Sequence, residues 1–321
     1  MAKILVTGAT GRVGKLLVPK LLQKGHAVKA ITKPGSSQAL PSGAEQLEFD
    51  LSSGKVPASA FKDIQKIIHL AALVGDYPYS QLVLNNAFAT KNLISNMPSS
   101  IQRLVIASSI SVYGEYKGKT VDESFALNPK SPYGKSKMLA ESLAKDFCDR
   151  LPITFLRFGM IYGPGFEEGY FQVFKLLKKG KMKTLGKGSN RLPLLHINDA
   201  ISAILLSLDS KAKSCRSYNI TGQEQLTQEQ LLGLAAQELG VTPPEGHANP
   251  LVAKIALKAQ NLLSITGIAN KPSITGENIR QLSLDRAYSC KRAQTELGFK
   301  ARVKIRDGVK EMAGIFTGNK R

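Results

Sequence analysis

Tyr133 and Lys137 stand four residues apart in the run Ser131-Pro132-Tyr133-Gly134-Lys135-Ser136-Lys137, a spacing that places two side chains on one face of a helix. A free tyrosine has a pKa of about 10 and is a poor base at neutral pH. A lysine ammonium beside it favours the phenolate and makes proton exchange with an alcohol feasible. Upstream, Ser108-Ser109 follows the apolar run Leu104-Val105-Ile106-Ala107, so the Ser109 hydroxyl stands at a strand end where it can hold a substrate oxygen. A single Tyr-x-x-x-Lys is near chance level and is more often a helix-surface pair. Its place behind a serine-ended strand and a glycine turn makes Ser109, Tyr133 and Lys137 candidate catalytic residues for acid–base chemistry on an alcohol or ketone.

The elements that must position these groups begin at the N-terminus. The apolar run Lys3-Ile4-Leu5-Val6 delivers Thr7 into Gly8-Ala9-Thr10-Gly11-Arg12-Val13-Gly14, and an apolar helical pattern follows at once. A buried strand ending on glycines with a helix behind it lets backbone N–H groups and the positive helix end approach a pyrophosphate. Leu16 to Leu22 reads as a helix closed by Gly25, with Pro19 as a kink or a first-turn residue. Val28 to Ile31, Ile67 to Leu70, Leu104 to Ile106 and Ile153 to Leu156 read as short buried strands between helical stretches. That alternation predicts an α/β fold, a parallel sheet covered on both faces. After residue 160 the rhythm changes at Gly163-Pro164-Gly165, and Pro243-Pro244 interrupts it again. The expected organisation is a dinucleotide-binding domain over 1–160 and a substrate lobe over 161–321, some of whose segments return to the first domain.

At 321 residues and 43% hydrophobic content the chain has enough apolar material for a large core, which excludes disorder. The first strand starts at residue 3 and no apolar run reaches the ~18 residues of a membrane span, so a cytoplasmic location is expected. Cys148, Cys215 and Cys290 are odd in number and widely spaced, which suggests reduced core thiols rather than a disulfide framework or a zinc site. The four histidines are equally scattered, and no metal is expected. The net charge of +20 is the compositional oddity. Its densest stretch runs from Lys175 through Lys178, Lys179, Lys181, Lys183 and Lys187 to Arg191 with no acidic residue between. A nucleic acid, a membrane surface or an anionic small molecule would each benefit from such a field, though a solvated basic surface is the simplest explanation. The stretch carries no aromatic side chain for stacking bases, so a nucleic acid is not expected, and an anionic small-molecule substrate is. Leu251 to Ile265, with Lys254 and Lys258, has the pattern of an amphipathic helix. A lobe helix packed on the main domain is preferred there to one lying at a membrane surface, because two lysines make a thin polar face.

With these residues in view, the chain resembles the extended short-chain dehydrogenases/reductases, the NAD-dependent epimerase/dehydratase family, over nearly its whole length. The resemblance rests on the Thr7 to Gly14 turn, Phe49-Asp50-Leu51, His69-Leu70-Ala71-Ala72, Asn86 to Thr90 with Asn92 and the Ser108-Ser109 strand end. It continues through Tyr133/Lys137, Leu156-Arg157, Tyr162 to Gly165, His196 to Asp199 and Glu296 to Phe299. It implies a Rossmann-like doubly wound parallel sheet with a smaller, mainly C-terminal substrate lobe. It also implies a cofactor held by Gly8, Thr10, Gly11, Arg12, Val13, Gly14, Lys33, Asp50, Leu51, Ala71, Ala72, Asn86 and Gly159, together with Tyr133 and Lys137. Asp50 and Leu51 match residues that flank the adenine; Ala71 and Ala72 match those on the path to the nicotinamide. A homodimer is a further option.

NAD-users of this family commonly carry an acidic residue at the end of the second strand, where this chain has Thr32 followed by Lys33. A carboxylate repels a 2′-phosphate and a lysine attracts it, so NADP is expected, with NAD as the alternative. The acidic pair that drives water elimination in the dehydratases is replaced by Ile110 and Ser111, which disfavours that route. Met160 stands where many sugar-nucleotide epimerases have an Asn, whereas the lysine-rich stretch favours a diphosphate-bearing substrate. Three readings follow: an epimerase or reductase of a nucleotide sugar, a reductase or dehydrogenase of a hydrophobic ketone or alcohol, and a non-catalytic NADP-binding protein. The first is preferred, and the Tyr/Lys pair argues against the third.

Overall fold

A computed structural model describes residues 1–36, 39–116, 118–212, 214–253, 255 and 276–318. In chain order the N-terminal half supplies β1 (Lys3–Thr7), α1 (Arg12–Gln23), β2 (Ala27–Thr32), β3 (Ala44–Glu48), β4 (Lys66–His69), a helix α2 (79–95) and β5 (Arg103–Ser109). β6 (Thr120–Val121), α3 (Pro132–Lys145) and β7 (Ile153–Phe158) follow. The seven-stranded sheet has the order β11-β7-β5-β4-β1-β2-β3, where β11 is Arg216–Ile220, and every pairing in it is parallel. Strand order reverses between β1 and β4, so a crevice opens there at the carboxyl ends, beside Thr7 and His69.

One face of the sheet buries Ile4, Val6, Val28, Ala30, Ile68, Val105 and Leu156 against Leu17, Val18 and Leu21 of α1 and against α5 (Ile197–Leu208). The other buries Leu5, Ile31, Ile67, Leu104, Ile106, Ile153 and Phe155 against Leu93 and Ile94 of α2 and Ala144 of α3. Apolar residues on both faces of each central strand explain why these strands read as continuous hydrophobic runs. α1 extends further in both directions than its apolar core pattern, and Pro19 sits inside it.

The remaining elements are β8 (Met160–Tyr162), α4 (Glu167–Lys178), β9 (Thr184–Leu185), β10 (Leu194–His196), α6 (Gln228–Leu239), β12 (His247–Ala248), α7 (Gly276–Ser283), β13 (Ala287–Tyr288), α8 (Lys291–Leu297) and α9 (Ile305–Thr317). Tyr162, Phe174, Leu177, Leu192, Leu194, Ala235, Val309 and Met312 form a third core among β8, α4, β10, α6 and α9. β11 returns from this half of the chain to the edge of the main sheet, pairing with β7.

One sequence expectation is overturned here. Cys148 and Cys215 are not separate thiols: they form a disulfide with their Cα atoms 5.5 Å apart, and Cys290 is the free cysteine. Cys148 follows α3 and Cys215 immediately precedes β11, so a parallel strand pairing between distant segments brings them together. Local spacing carries no trace of such a pairing. Of the segment Leu251 to Ile265, residues 254 and 256–265 lie outside the described residues; Leu251, Val252 and Ile255 are exposed. Among the described residues no helix is long and apolar enough to cross a membrane, and no group of His, Cys, Asp or Glu is arranged to hold a metal.

Candidate active site

The glycine turn is shaped by close approach. Gly8 has φ +70°, and a Cβ there would meet the Ala71 backbone nitrogen at 2.6 Å; one on Gly14 would meet the Gly8 carbonyl oxygen at 2.3 Å. β1, the loop after β4 and the first turn of α1 therefore touch backbone to backbone, which any side chain would prevent. Gly11 and Arg12 are exposed, and no side chain caps α1 at Gly11. The open N–H groups of that first turn fit an anion, and the crowded glycines leave the backbone bare toward it.

Behind the turn runs a fully partnered hydrogen-bond chain. Thr90 Oγ1 donates to the Asn86 carbonyl (2.6 Å) and accepts from His69 Nε2 (2.9 Å); His69 Nδ1 accepts from Thr7 Oγ1 (2.7 Å), which in turn accepts from Ala71 N (3.2 Å). This assigns the Nε2–H tautomer. Burial, and secondarily the Lys137 charge, hold the His69 pKa down at about 3, so the ring is neutral. Asn86 is buried and its amide bonds Leu73 N, Leu73 O and Ser136 Oγ, so it braces the 71–73 loop against α3 from within the wall. Ala71 is half-buried and Ala72 exposed on that loop.

α3 starts where its sequence says it should. Ser131 Oγ accepts from Gly134 N at 3.0 Å and Pro132 takes the first helical position, which puts Tyr133 in the first turn. Gly134 lets the helix press on the preceding loop: a Cβ there would meet the Ser111 carbonyl oxygen at 2.4 Å. That contact brings Tyr133 toward Ser109 at the end of β5, close enough for the Ser109 side chain to favour the Tyr133 phenolate. Ser109 Oγ also accepts from Ser111 N at 3.1 Å, which fixes its rotamer. Burial pushes the Tyr133 phenol up to about 12, partly offset by Ser109. Lys137, one turn along and 2% exposed, is pushed down to about 8 by burial, against the opposing pull of Glu141.

Glu141 continues this face of α3, four residues beyond Lys137. Its carboxylate accepts from Arg157 Nε (3.0 Å) and a terminal Arg157 nitrogen (2.6 Å) and from Ser108 Oγ (2.6 Å). Arg157 also donates to the Tyr113 hydroxyl (2.7 Å), which donates to Asn219 Oδ1 (2.7 Å). This buried network joins α3, β5, β7 and β11 directly behind the three candidate groups. The roles of Glu141 and His69 were not legible in the sequence; the one available signal was Glu141 at the second four-residue step from Tyr133.

The other candidate positions spread over the crevice. Leu51 is core, and Asn92 holds its carbonyl. Asp50 Oδ1 accepts from Ser52 N and Oγ, and Oδ2 lies 3.5 Å from Lys33 Nζ. Lys33 also donates to Asn85 Oδ1 (3.3 Å). Arg12 pairs with Glu168 (2.8 Å) across to α4. Thr10 and Val13 are half-buried in the turn. A Cβ on Gly159 would meet the Pro193 carbonyl oxygen at 2.3 Å, a packing constraint at the start of β8. Arg191 is drawn into a two-pronged pair with Asp285 (2.9 and 2.8 Å).

Residues 4–221 match the model of the NAD dependent epimerase/dehydratase family. The chain belongs to that family. It is thus an epimerase/dehydratase-family enzyme with a Rossmann-like fold, and its family is NAD-dependent. It is 25% identical to the 2-alkyl-3-oxoalkanoate reductase of Stenotrophomonas maltophilia (strain K279a) over 97% of this chain and 98% of that protein. It is 30% identical to YtcB, an uncharacterized UDP-glucose epimerase of Bacillus subtilis (strain 168), over 69% of this chain and 77% of that protein. Among solved structures it is similar to MoeE5 in complex with UDP-glucose and NAD, with a TM-score of 0.77, 26% identity and 99% of both chains covered.

Proposed function

We propose that this enzyme carries out hydride transfer at a secondary alcohol or ketone, with Tyr133 as the acid–base residue, Lys137 as its electrostatic partner and Ser109 as the substrate-oxygen anchor. The observation that carries this reading is the seating of the first turn of α3, with Tyr133, against the loop after Ser109, with buried Lys137 one helical turn on. Residues 1–160 hold the dinucleotide and 161–321 supply the substrate lobe. When bound, the dinucleotide supplies the hydride acceptor or donor. Gly8, Gly11, Gly14 and the first turn of α1 take the pyrophosphate, and the wall braced by Asn86 and His69 presents Ala71 and Ala72. Tyr133 removes the alcohol proton in the oxidising direction and returns it to the carbonyl oxygen in the other, while Ser109 holds that oxygen in place.

NADP is the preferred cofactor in this reading. The exposed Lys33 side chain at the end of β2 is free to exchange its 3.5 Å contact with Asp50 for a 2′-phosphate, since an exposed pair is worth only ~0–1 kcal/mol. For the substrate we propose a nucleotide sugar, supported by the similarity to MoeE5. A second reading, a hydrophobic ketone or alcohol, is favoured by one observation: Arg191, at the end of the lysine-rich stretch, is already paired with Asp285. Calorimetric titration with UDP-glucose decides between them. Binding by the native enzyme supports the nucleotide sugar; no binding moves the assignment to the hydrophobic ketone.

A further inference from the structure

Neither the dinucleotide turn nor Ser109, Tyr133 and Lys137 accounts for the basic run from Lys175 to Lys187. Lys175, Lys178, Lys179, Lys181, Lys183 and Lys187 are all exposed, and none of them forms an ion pair among the described residues. Lys178 leans over the Phe316 ring, 5.5 Å from its centroid. The end of this run is joined to a second feature by strand pairing. β9 lies parallel to β12 with Thr184 beside His247 and Leu185 beside Ala248, and Gly186 N donates to the Ala248 carbonyl at 2.9 Å. The Lys183 side chain runs alongside Gly246, and Pro250 lies alongside Gly186. The chain is helical at 250–253 and 255, and Leu251, Val252 and Ile255 fall within about 100° of the helix circumference. They are 65%, 61% and 60% exposed.

We propose that this face docks on an anionic lipid bilayer, with Leu251, Val252 and Ile255 entering the headgroup–acyl boundary and Lys179, Lys181, Lys183 and Lys187 meeting the anionic headgroups. The pairing of aliphatic side chains with lysines is what selects this occupant. Six cations stand against Glu229 and Glu245 at the border, so a second copy of the face is repelled. A nucleic acid has no use for the aliphatic trio, and no Phe, Tyr or Trp is exposed beside it among the described residues to stack a base. Lysines on a bilayer surface and aliphatic side chains below it strengthen each other, as on amphipathic interfacial helices. The inference is independent of the catalytic reading, because its test involves no turnover.

The test is co-sedimentation of the full chain with phosphatidylcholine vesicles with and without phosphatidylglycerol. The native chain is expected to partition onto the phosphatidylglycerol vesicles and to leave them as salt is raised, since screening shortens the reach of surface charge. With about fivefold per lysine, Lys179→Gln/Lys183→Gln/Lys187→Gln lowers the partition coefficient on the order of 100-fold. Leu251→Ser/Val252→Ser/Ile255→Ser lowers it by about tenfold or more. Failure of the native chain to bind phosphatidylglycerol vesicles at low salt overturns the proposal, as does equal binding by the native chain and both variants. It is also overturned by a dimer, seen by light scattering, that the serine variant dissolves, or by oligonucleotide binding without vesicle binding. The lipid and salt comparisons use the native chain, so the outcome does not hinge on the folding of a variant.

Discussion

Replacing Glu141 by Gln removes one charge and almost no volume from the network behind the active site. The carboxylate is 1% exposed and holds Arg157 through two bonds, at 3.0 and 2.6 Å. The amide leaves the Arg157 guanidinium buried, with the Tyr113 hydroxyl at 2.7 Å as its other partner. Removing one member of a buried ion pair costs about 3–5 kcal/mol, because the remaining charge is uncompensated. At ~2 °C per kcal/mol for a chain of this size, the melting temperature falls by about 6–10 °C. A purely structural role would end there. Glu141 also pulls the Lys137 pKa up against the burial that sets it at about 8, so in Glu141→Gln the ammonium loses its proton at lower pH. Thermal melts read the first effect; trace acetylation of Lys137 across pH, quantified by mass spectrometry, reads the second without any substrate. An unchanged melting temperature together with an unchanged Lys137 titration would refute the reasoning.

Because the folded pKa of His69 is about 3 and the unfolded value is near 6.5, the unfolded state takes up the proton first, and stability falls as pH drops from 6.5 toward 3. That slope reaches ~1.4 kcal/mol per pH unit for one group, and denaturant titrations should show it flattened in His69→Gln. The Cys148–Cys215 bridge spans 67 residues, so reduction or Cys148→Ser should cost about 2–4 kcal/mol, visible as a lower melting temperature that the reductant no longer shifts in the variant. Lys33→Ala should weaken NADPH binding and leave NADH binding unchanged, with the gap in the native enzyme shrinking as salt is added; equal native affinities at low salt would reduce Lys33 to a surface lysine.

The parts of the fold written in local pattern were legible. The glycine turn announces itself because Gly8 and Gly14 answer to contacts within one strand–turn–helix unit, and Ser131-Pro132 states where α3 begins. Central strands were readable as apolar runs because both faces of the sheet are covered. β3 was not, since Ala44-Glu45-Gln46-Leu47-Glu48 is a polar edge strand whose Glu45 pairs with Lys29 of the adjacent β2 and with Lys3 of β1 beyond it. β11 was hidden likewise: Tyr218 and Asn219 are buried there through hydrogen bonds to Glu296, Tyr113 and Glu123 rather than by apolar content. Of the site, Tyr133 and Lys137 were visible from their spacing. The chain from Thr7 through His69 to Thr90 and the ion pair Glu141–Arg157 were not, because their members are brought together only by the sheet.

The central claim is that Tyr133 exchanges the proton with the reacting oxygen. Its most direct test is turnover and dinucleotide affinity measured side by side in Tyr133→Phe, with the ketone or alcohol that the native enzyme converts. The account predicts a turnover loss of about 10²- to 10⁴-fold with dinucleotide affinity nearly unchanged, since the phenol acts on the reacting oxygen and the glycine turn holds the pyrophosphate. Near-native turnover in Tyr133→Phe would contradict it.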